Sequence, residues 1–337
     1  MELSFSFIIP VYNRPDEIDE LLQSASQLLF EKEFEIVIVE DGSTLSSKNI
    51  VQKYADKLQV SYYFKNNTGP GDSRNYGMRK AKGEYFLILD SDVILPTNYL
   101  QAVENGLKKN YVHCFGGPDD AHPNFSKLQK AINYGMTSFF TTGGIRGKVS
   151  NINKFQPRSF NMGISKEAFK RSGGFGNIHP GEDPDLTIRL WKLGYDTALI
   201  PKAKVFHKRR ISWNKFYQQV TKFGLVRPIL NKWHPTTAKV TYWFPSLFIT
   251  FLVLAILIGI FFTWIPFLFF AGYFIVLFIE ALSKYRSINI AIMALLAVCI
   301  QFYGYGHGFL RSYVQIHIRS KDPVTAFPHL FFLKNRN

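Results

Sequence analysis

Cysteine is nearly absent from this chain. Only Cys114 and Cys299 occur among 337 residues, far apart and in unlike surroundings. That excludes a disulfide framework and a cysteine-built metal cluster, and points to two reduced thiols. Acidic residues are also scarce, with 25 Asp and Glu against 40 Lys and Arg, which leaves a net charge of +15. An excess of this size raises the question of nucleic acid. The acids that are present gather at the ends of strand candidates, where they would repel a phosphate backbone, so no nucleic-acid partner is expected. The start of the chain lacks the basic and apolar regions of a secretory signal peptide, because residues 1–10 already read as a strand; the N-terminal part is expected in the cytoplasm.

Charge is missing altogether from 242 to 262, YWFPSLFITFLVLAILIGIFF. At ~1.5 Å per residue such a run can cross a hydrocarbon core about 30 Å thick. A second apolar run, 266–282, follows after almost no connection, with Glu280 near its end, and the two predict a helical hairpin. A third covers 288–305, and the stretch after it, HGFLRSYVQIHIRSK, mixes basic and apolar residues as a membrane surface would favour. Whether the third segment spans is left open by the sequence. Lys232 and Lys239 precede the hairpin and Lys284 and Arg286 follow it, which favours both ends on the cytoplasmic side. The expected division is a first domain over 1–230, in the cytoplasm, and a membrane region over 231–337, the arrangement of a multi-pass membrane protein.

The first part alternates strands and helices, the pattern of an α/β fold with a mostly parallel sheet flanked by helices. Strand candidates are 4–9, 34–39, 60–64 and 85–89, with a further one over 196–206. Pro15, Asp16 and Glu17 open a helix in which Ile18, Leu21, Leu22, Ala25, Leu28 and Leu29 recur at helical spacing. In such sheets ligands bind beyond the carboxyl ends of the strands. The turns found there are PVYNRP (10–15), EDGS (40–43), NNTGPGDSRNYG (66–77) and DSD (90–92).

These turns can serve one ligand. Pro10, Tyr12 and Asn13 follow the first strand, and the Tyr12 ring can stack. Asp41 can accept hydrogen bonds from a base or a ribose. Gly69, Gly71, Arg74 and Asn75 open a helix whose free amides and guanidinium suit an anionic group. Asp90 and Asp92 offer hard oxygens for Mg²⁺ or Mn²⁺, which can hold a diphosphate in turn.

The set SFIIPVYNRP, VEDGST, GPGDSRNYGM, DSD and GEDPDLTIRLWKLGY, in that order over residues 4–213, resembles the family 2 glycosyltransferases with the GT-A fold. The resemblance implies inverting transfer of a sugar from a nucleotide-sugar donor, with Asp92 on the metal and Asp41 on the base. Glu182 and Asp183 map onto the catalytic motif, and Asp183 onto the general base. His207 matches a point where some relatives have a further metal ligand. Processive synthases of the family carry Q-x-x-R-W, whereas this chain reads RRISWNKFYQQ there, which favours single transfers. The apolar segments would then hold the site at the lipid bilayer, near a lipid-linked or glycan acceptor of cell-surface polysaccharide assembly.

Each feature also has a plainer reading. Asp41 before Gly-Ser suits an Asx turn, and Asp90 and Asp92 suit a cap for the helix after Pro96. Glu182 and Asp183 suit the N-terminus of the helix they open, a lone His207 is commonly structural, and 208–210 suits a solvated basic run. FFTTGGIRGKV (139–149) suits a loop over the site or an ordinary surface loop. A catalytically inactive nucleotide-sugar-binding or scaffold protein would keep the fold without turnover. Capping alone does not require acids after several separate strands in this order.

Overall fold

In a computed structural model the described residues are 3–120, 125–142, 154–207 and 212–332. The chain forms two compact units. One gathers residues from 1–122, 149–207 and 331–337; the other gathers 123–148 and 208–330.

The first unit is built on strands β1 (Phe5–Val11), β2 (Phe34–Asp41), β3 (Gln59–Lys65), β4 (Tyr85–Leu89), β5 (Val93–Ile94), β6 (Cys114–Gly116), β7 (Asp119–Asp120), β8 (Asn161–Ser165), β9 (Thr197–Leu199) and β10 (Val205–His207). Its helices are α1 (Pro15–Ala25), α2 (Lys48–Gln52), α3 (Pro70–Lys80), α4 (Tyr99–Lys109), α7 (Lys166–Ser172) and α8 (Glu182–Lys192); α5 (Lys127–Thr137) and α6 (Phe139–Thr142) lie in the other unit. The main sheet runs β3-β2-β1-β4-β8-β6-β9, parallel except for β8, which opposes β4 and β6.

Central strands read as nearly unbroken apolar runs because both faces are covered. In β1 the period of two sends Phe5, Phe7, Ile9 and Val11 to a core shared with Ile18, Leu21 and Leu22 of α1. Ile8 joins the opposite core, with Met78 of α3 and Leu186 and Leu190 of α8. Pro15 at the first position of α1 and acids in its first turn start that helix where the sequence predicts it.

Strand order reverses between β1 and β4: β2 and β3 continue on one side of β1, and β4 pairs on the other. The crevice at such a switch point is where a doubly wound sheet takes ligand. A small sheet, β5-β10-β7, stands next in sequence to the end of β4, and its register sets the backbone of His207 opposite Val93. The predicted strand over 196–206 is two strands, β9 and β10. Pro201 cannot donate to a ladder, and Ala203 N–H turns back to the Ile200 carbonyl at 3.0 Å.

The second unit is helical: α5 (Lys127–Thr137), α6 (Phe139–Thr142), α9 (Trp213–Trp233), α10 (Phe244–Phe261), α11 (Ile265–Tyr285), α12 (Ile288–Tyr313) and α13 (Pro323–Ala326). Among the described residues, three helical stretches are long and apolar enough to cross a membrane: Val240–Phe261, Ile265–Tyr285 and Ile288–Ile318. The third, left open by the sequence, is one continuous 31-residue helix that extends past 305. Phe261, Phe262, Leu268 and Phe269 stand exposed, whereas Ala291, Ala294, Ala297 and Phe302 of α12 are buried. A Cβ on Gly308 would lie 2.4 Å from the Thr221 carbonyl, so α9 and α12 approach closely only because this position is glycine. Glu280 of α11 accepts hydrogen bonds from Tyr134 at 2.5 Å and Ser138 at 2.6 Å, which ties the α5–α6 segment to the bundle.

Candidate active site

Four turns meet at the carboxyl edge of the sheet, and their side chains are tied to one another. Pro10 stays within β1, in register with Val39. Tyr12, just beyond, is 53% exposed. Asn13 sits at φ 54°, a left-handed conformation that asparagine tolerates. Its Oδ1 accepts from the Thr44 and Leu45 amides at 2.8 and 2.9 Å, and its own amide donates to Ser43 Oγ at 2.8 Å. The turn after β1 is thereby fastened to the turn after β2.

Asp41 closes β2 and organises the next turn. Its Oδ1 accepts from Lys65 Nζ at 2.5 Å and the Thr68 amide at 3.0 Å, and its Oδ2 accepts from the Gly69 amide at 2.9 Å. These partners lie 24 to 28 residues on, so the side chain fastens the turn after β3 and does not make the local Asx turn of the plainer reading. At the start of α3, a Cβ on Gly71 would lie 2.6 Å from the Gly176 carbonyl, so the loop before α8 reaches the helix only across glycine. Asn75 clamps that loop, donating to the Phe175 carbonyl and accepting from the Phe175 amide, both at 2.8 Å.

Arg74 is the hub. Its side chain is 3% exposed, with Nη2 2.8 Å from Asp90 Oδ1 and Nη1 2.9 Å from Glu182 Oε1. Burial lowers the affinity of the guanidinium for its proton, and the two carboxylates outweigh that and raise it. Glu182 is equally buried and also meets His179 Nδ1 at 3.0 Å. Burial pushes the Glu182 carboxyl up, and the charges and hydrogen bond of His179, with Arg74, outweigh it and hold the group well below the usual carboxylate range. Such a group holds its neighbours in place and is unsuited to take up a proton near neutrality. Asp183, the next residue, differs: its side chain is 14% exposed and 3.8 Å from Arg158 Nη1. Burial pushes its carboxyl above the ordinary range, with Arg158 opposing and Glu182 adding to the rise.

Asp90 and Asp92 follow β4. Asp90 keeps 34% of its side chain exposed despite its bond to Arg74. Asp92 Oδ2 lies 3.5 Å from Arg14 Nη1, with 11% exposure. Arg14 is steadied by Glu17, and Glu17 also accepts from Ser91 at 3.0 Å. Hard oxygens at a strand end suit Mg²⁺ or Mn²⁺. Among the described residues no group of three or more His, Cys, Asp or Glu forms a complete cation cage. That donor set fits an ion bound by one or two carboxylates together with substrate phosphates. The His207 side chain, residues 208–210 and residues 143–149 lie outside the described residues.

The structure thus brings Asp41, Gly71, Arg74, Asn75, Asp90, Asp92, Glu182 and Asp183 to one edge. Arg14, Lys65, Arg158 and His179 were not singled out from the sequence. Arg14 lies inside a quoted motif and His179 three residues before Glu182, whereas Lys65 and Arg158 carry no local signal, since each meets a partner distant in sequence.

A parallel-centred sheet with a reversed strand order, an acid pair at the switch point and a Glu-Asp helix start define a nucleotide-sugar transferase type of fold. Residues 6–173 match the family described as Glycosyl transferase family 2, and the chain carries a domain of that family. The poly(ribitol-phosphate) beta-N-acetylglucosaminyltransferase TarS of Staphylococcus aureus is 45% identical over 93 residues, 27% of this chain and 16% of that protein. The match therefore spans less than a fifth of that relative's length. The structure of S. aureus TarS 1–349 in complex with UDP-GlcNAc aligns with a TM-score of 0.51 at 18% identity, covering 93% of this chain and 92% of the other. Mannosyltransferase PcManGT from Pyrobaculum calidifontis, in complex with GDP-Man and Mn²⁺, aligns with a TM-score of 0.56 at 16% identity, covering 96% and 89%. At these identities the structural likeness establishes the fold alone.

Proposed function

We propose that this protein is a membrane-attached, inverting, non-processive glycosyltransferase that moves a sugar from a nucleotide-sugar donor to a hydroxyl of a lipid-linked or polymeric glycan acceptor. The observation that carries this reading is Arg74, one buried cation joined both to Asp90 of the acid pair and to Glu182 beside Asp183. It fixes the diphosphate end and the proton-accepting end relative to each other before any substrate arrives.

In this reading Tyr12, Asn13, the Asp41 turn and the start of α3 receive the nucleoside and diphosphate. Asp90 and Asp92 would hold Mg²⁺ or Mn²⁺, which when bound offsets the charge that builds on the leaving diphosphate. Asp183 takes the proton from the acceptor hydroxyl as that oxygen bonds to the anomeric carbon and the bond to the diphosphate breaks. Its raised affinity for protons suits that task better than an ordinary aspartate, because a base is most effective with a pKa near the working pH. Glu182 and Arg74 do not take part in proton transfer; they position.

The three apolar helices span the bilayer with the catalytic unit on the cytoplasmic side, and the net charge of +15 favours an anionic membrane surface or acceptor. The relatives that act on poly(ribitol-phosphate) by name support a polymeric, anionic acceptor. The test is a binding and donor-hydrolysis screen on full-length protein in detergent, with a panel of nucleotide sugars, in Mn²⁺ or EDTA, for wild type and Asp92→Ala. Metal-dependent binding of one donor, lost in the variant, supports the proposal. Failure of every donor to bind with metal present would overturn it.

A further inference from the structure

Residues 331 and 332 follow the whole helical unit in sequence yet belong to the catalytic unit. Phe331 bridges antiparallel to Ile178, and the Phe332 amide donates to the Asn177 carbonyl at 2.9 Å. Phe331 is buried, and this anchors the segment; Phe332 is only partly buried. Its ring does not belong to the apolar cores of the sheet. It covers Gly69: a Cβ there would lie 2.4 Å from both Cγ and Cδ2 of Phe332. On the other side it faces the His179 ring, with centroids 6.3 Å apart and planes inclined at 55°.

These neighbours are the two loops that close the crevice. Gly69 donates its amide to Asp41 Oδ2 and immediately precedes α3, and His179 contacts Glu182. The Phe332 ring is only partly buried, so part of it stays accessible beside both loops. Gly69 also has φ +89°, so the backbone presents its bare Cα face to the ring.

We propose that Phe332 is a donor-recognition residue, supplying an aromatic wall against the nucleoside of a nucleoside diphosphate beside the Asp41 turn. The proposal rests on the reading of that turn as the donor site. Base-on-aromatic contact typically weakens on truncation by about 5- to 100-fold. The segment 331–332 thereby makes donor affinity depend on chain that lies beyond the membrane helices in sequence.

The test uses full-length protein in detergent, titrated with UDP and separately with GDP in the presence of Mn²⁺. Phe332→Ala is expected to bind the preferred nucleotide on the order of tenfold more weakly, and Phe332→Tyr, which keeps the ring, within about threefold of wild type. Hydrogen exchange in wild type is expected to slow at the Phe332 amide when that nucleotide is added. If Phe332→Ala binds as wild type does, or nucleotide leaves exchange at 332 unchanged, the proposal is overturned while the donor site stands. If wild type binds neither nucleotide, the donor-site reading itself falls and this inference with it. Should Phe332→Ala fail to fold, the wild-type exchange result decides.

Discussion

Replacing Arg74 with alanine tests the architecture of the site directly. The guanidinium is 3% exposed and makes bonds of 2.8 and 2.9 Å to Asp90 and Glu182. The two partners respond differently to its loss. Asp90, one-third exposed, can rehydrate, so that half of the bridge contributes at most about 1 kcal/mol. Glu182 cannot: its side chain is 3% exposed, and His179 alone would remain beside it. Leaving a buried carboxylate without its counter-charge costs about 3–5 kcal/mol. For a unit of this size that lowers the midpoint of thermal unfolding by roughly 6–20 °C.

Glu182→Gln removes the stranded charge, so the double variant Arg74→Ala with Glu182→Gln should recover much of the loss, a coupling of about 1.5–3 kcal/mol. Acidity gives an independent check. In wild type the depressed Glu182 carboxyl contributes stability that is present above its unfolded value and lost as pH falls through the folded one. Without Arg74 that carboxyl loses one of the charges that lower it and binds protons more readily, so the deficit of the variant should narrow as pH falls through the carboxylate range. Near-UV circular dichroism melts of detergent-solubilised protein at several pH values measure both effects. A single variant that melts within about 2 °C of wild type, or a double variant that loses the sum of the two singles, would refute the reasoning.

Asp183→Asn should lower transfer by about 10²–10⁴ while leaving nucleotide affinity within about threefold, as steady-state rates and calorimetry would show. Because burial raises the Asp183 carboxyl, the acidic limb of the wild-type rate profile should inflect above the ordinary aspartate value of about 3.9, with activity rising as the base is freed. Gly71→Ala places a methyl 2.6 Å from the Gly176 carbonyl, a backbone atom that must shift, at a cost of about 1–3 kcal/mol and with weakened donor binding. In the helical unit, Glu280→Ala removes the acceptor of Tyr134 and Ser138, and hydrogen exchange across α5 should quicken; Glu280→Gln, which keeps an acceptor oxygen, should change it less.

Much of the fold was legible because neighbours in sequence decide it. Alternation in FSFIIPV sets which residues of β1 enter each core, Pro15 and the acids after it start α1, and uninterrupted apolar length marks the first two membrane-length helices. The ordered motifs likewise placed the acids at strand ends. Sequence expected a single strand over 196–206, but the fold divides it at Pro201. The third apolar run could not be resolved by composition because its basic, mixed end belongs to the same helix.

What local pattern could not supply was partnership. The Arg74–Glu182 pair spans 108 positions, and nothing near either residue names the other. The same holds for Lys65 on Asp41, Arg158 beside Asp183 and Phe332 over Gly69. By itself the sequence determined the periodicities, the helix starts and the order of polar turns, since these follow from dihedral preference and side-chain spacing over a few residues. Only the tertiary structure decided which of the two neighbouring acids Glu182 and Asp183 has its affinity for protons lowered and which has it raised. Burial and the nearest opposite charge fix that difference, and both exist only once distant segments have closed on one another.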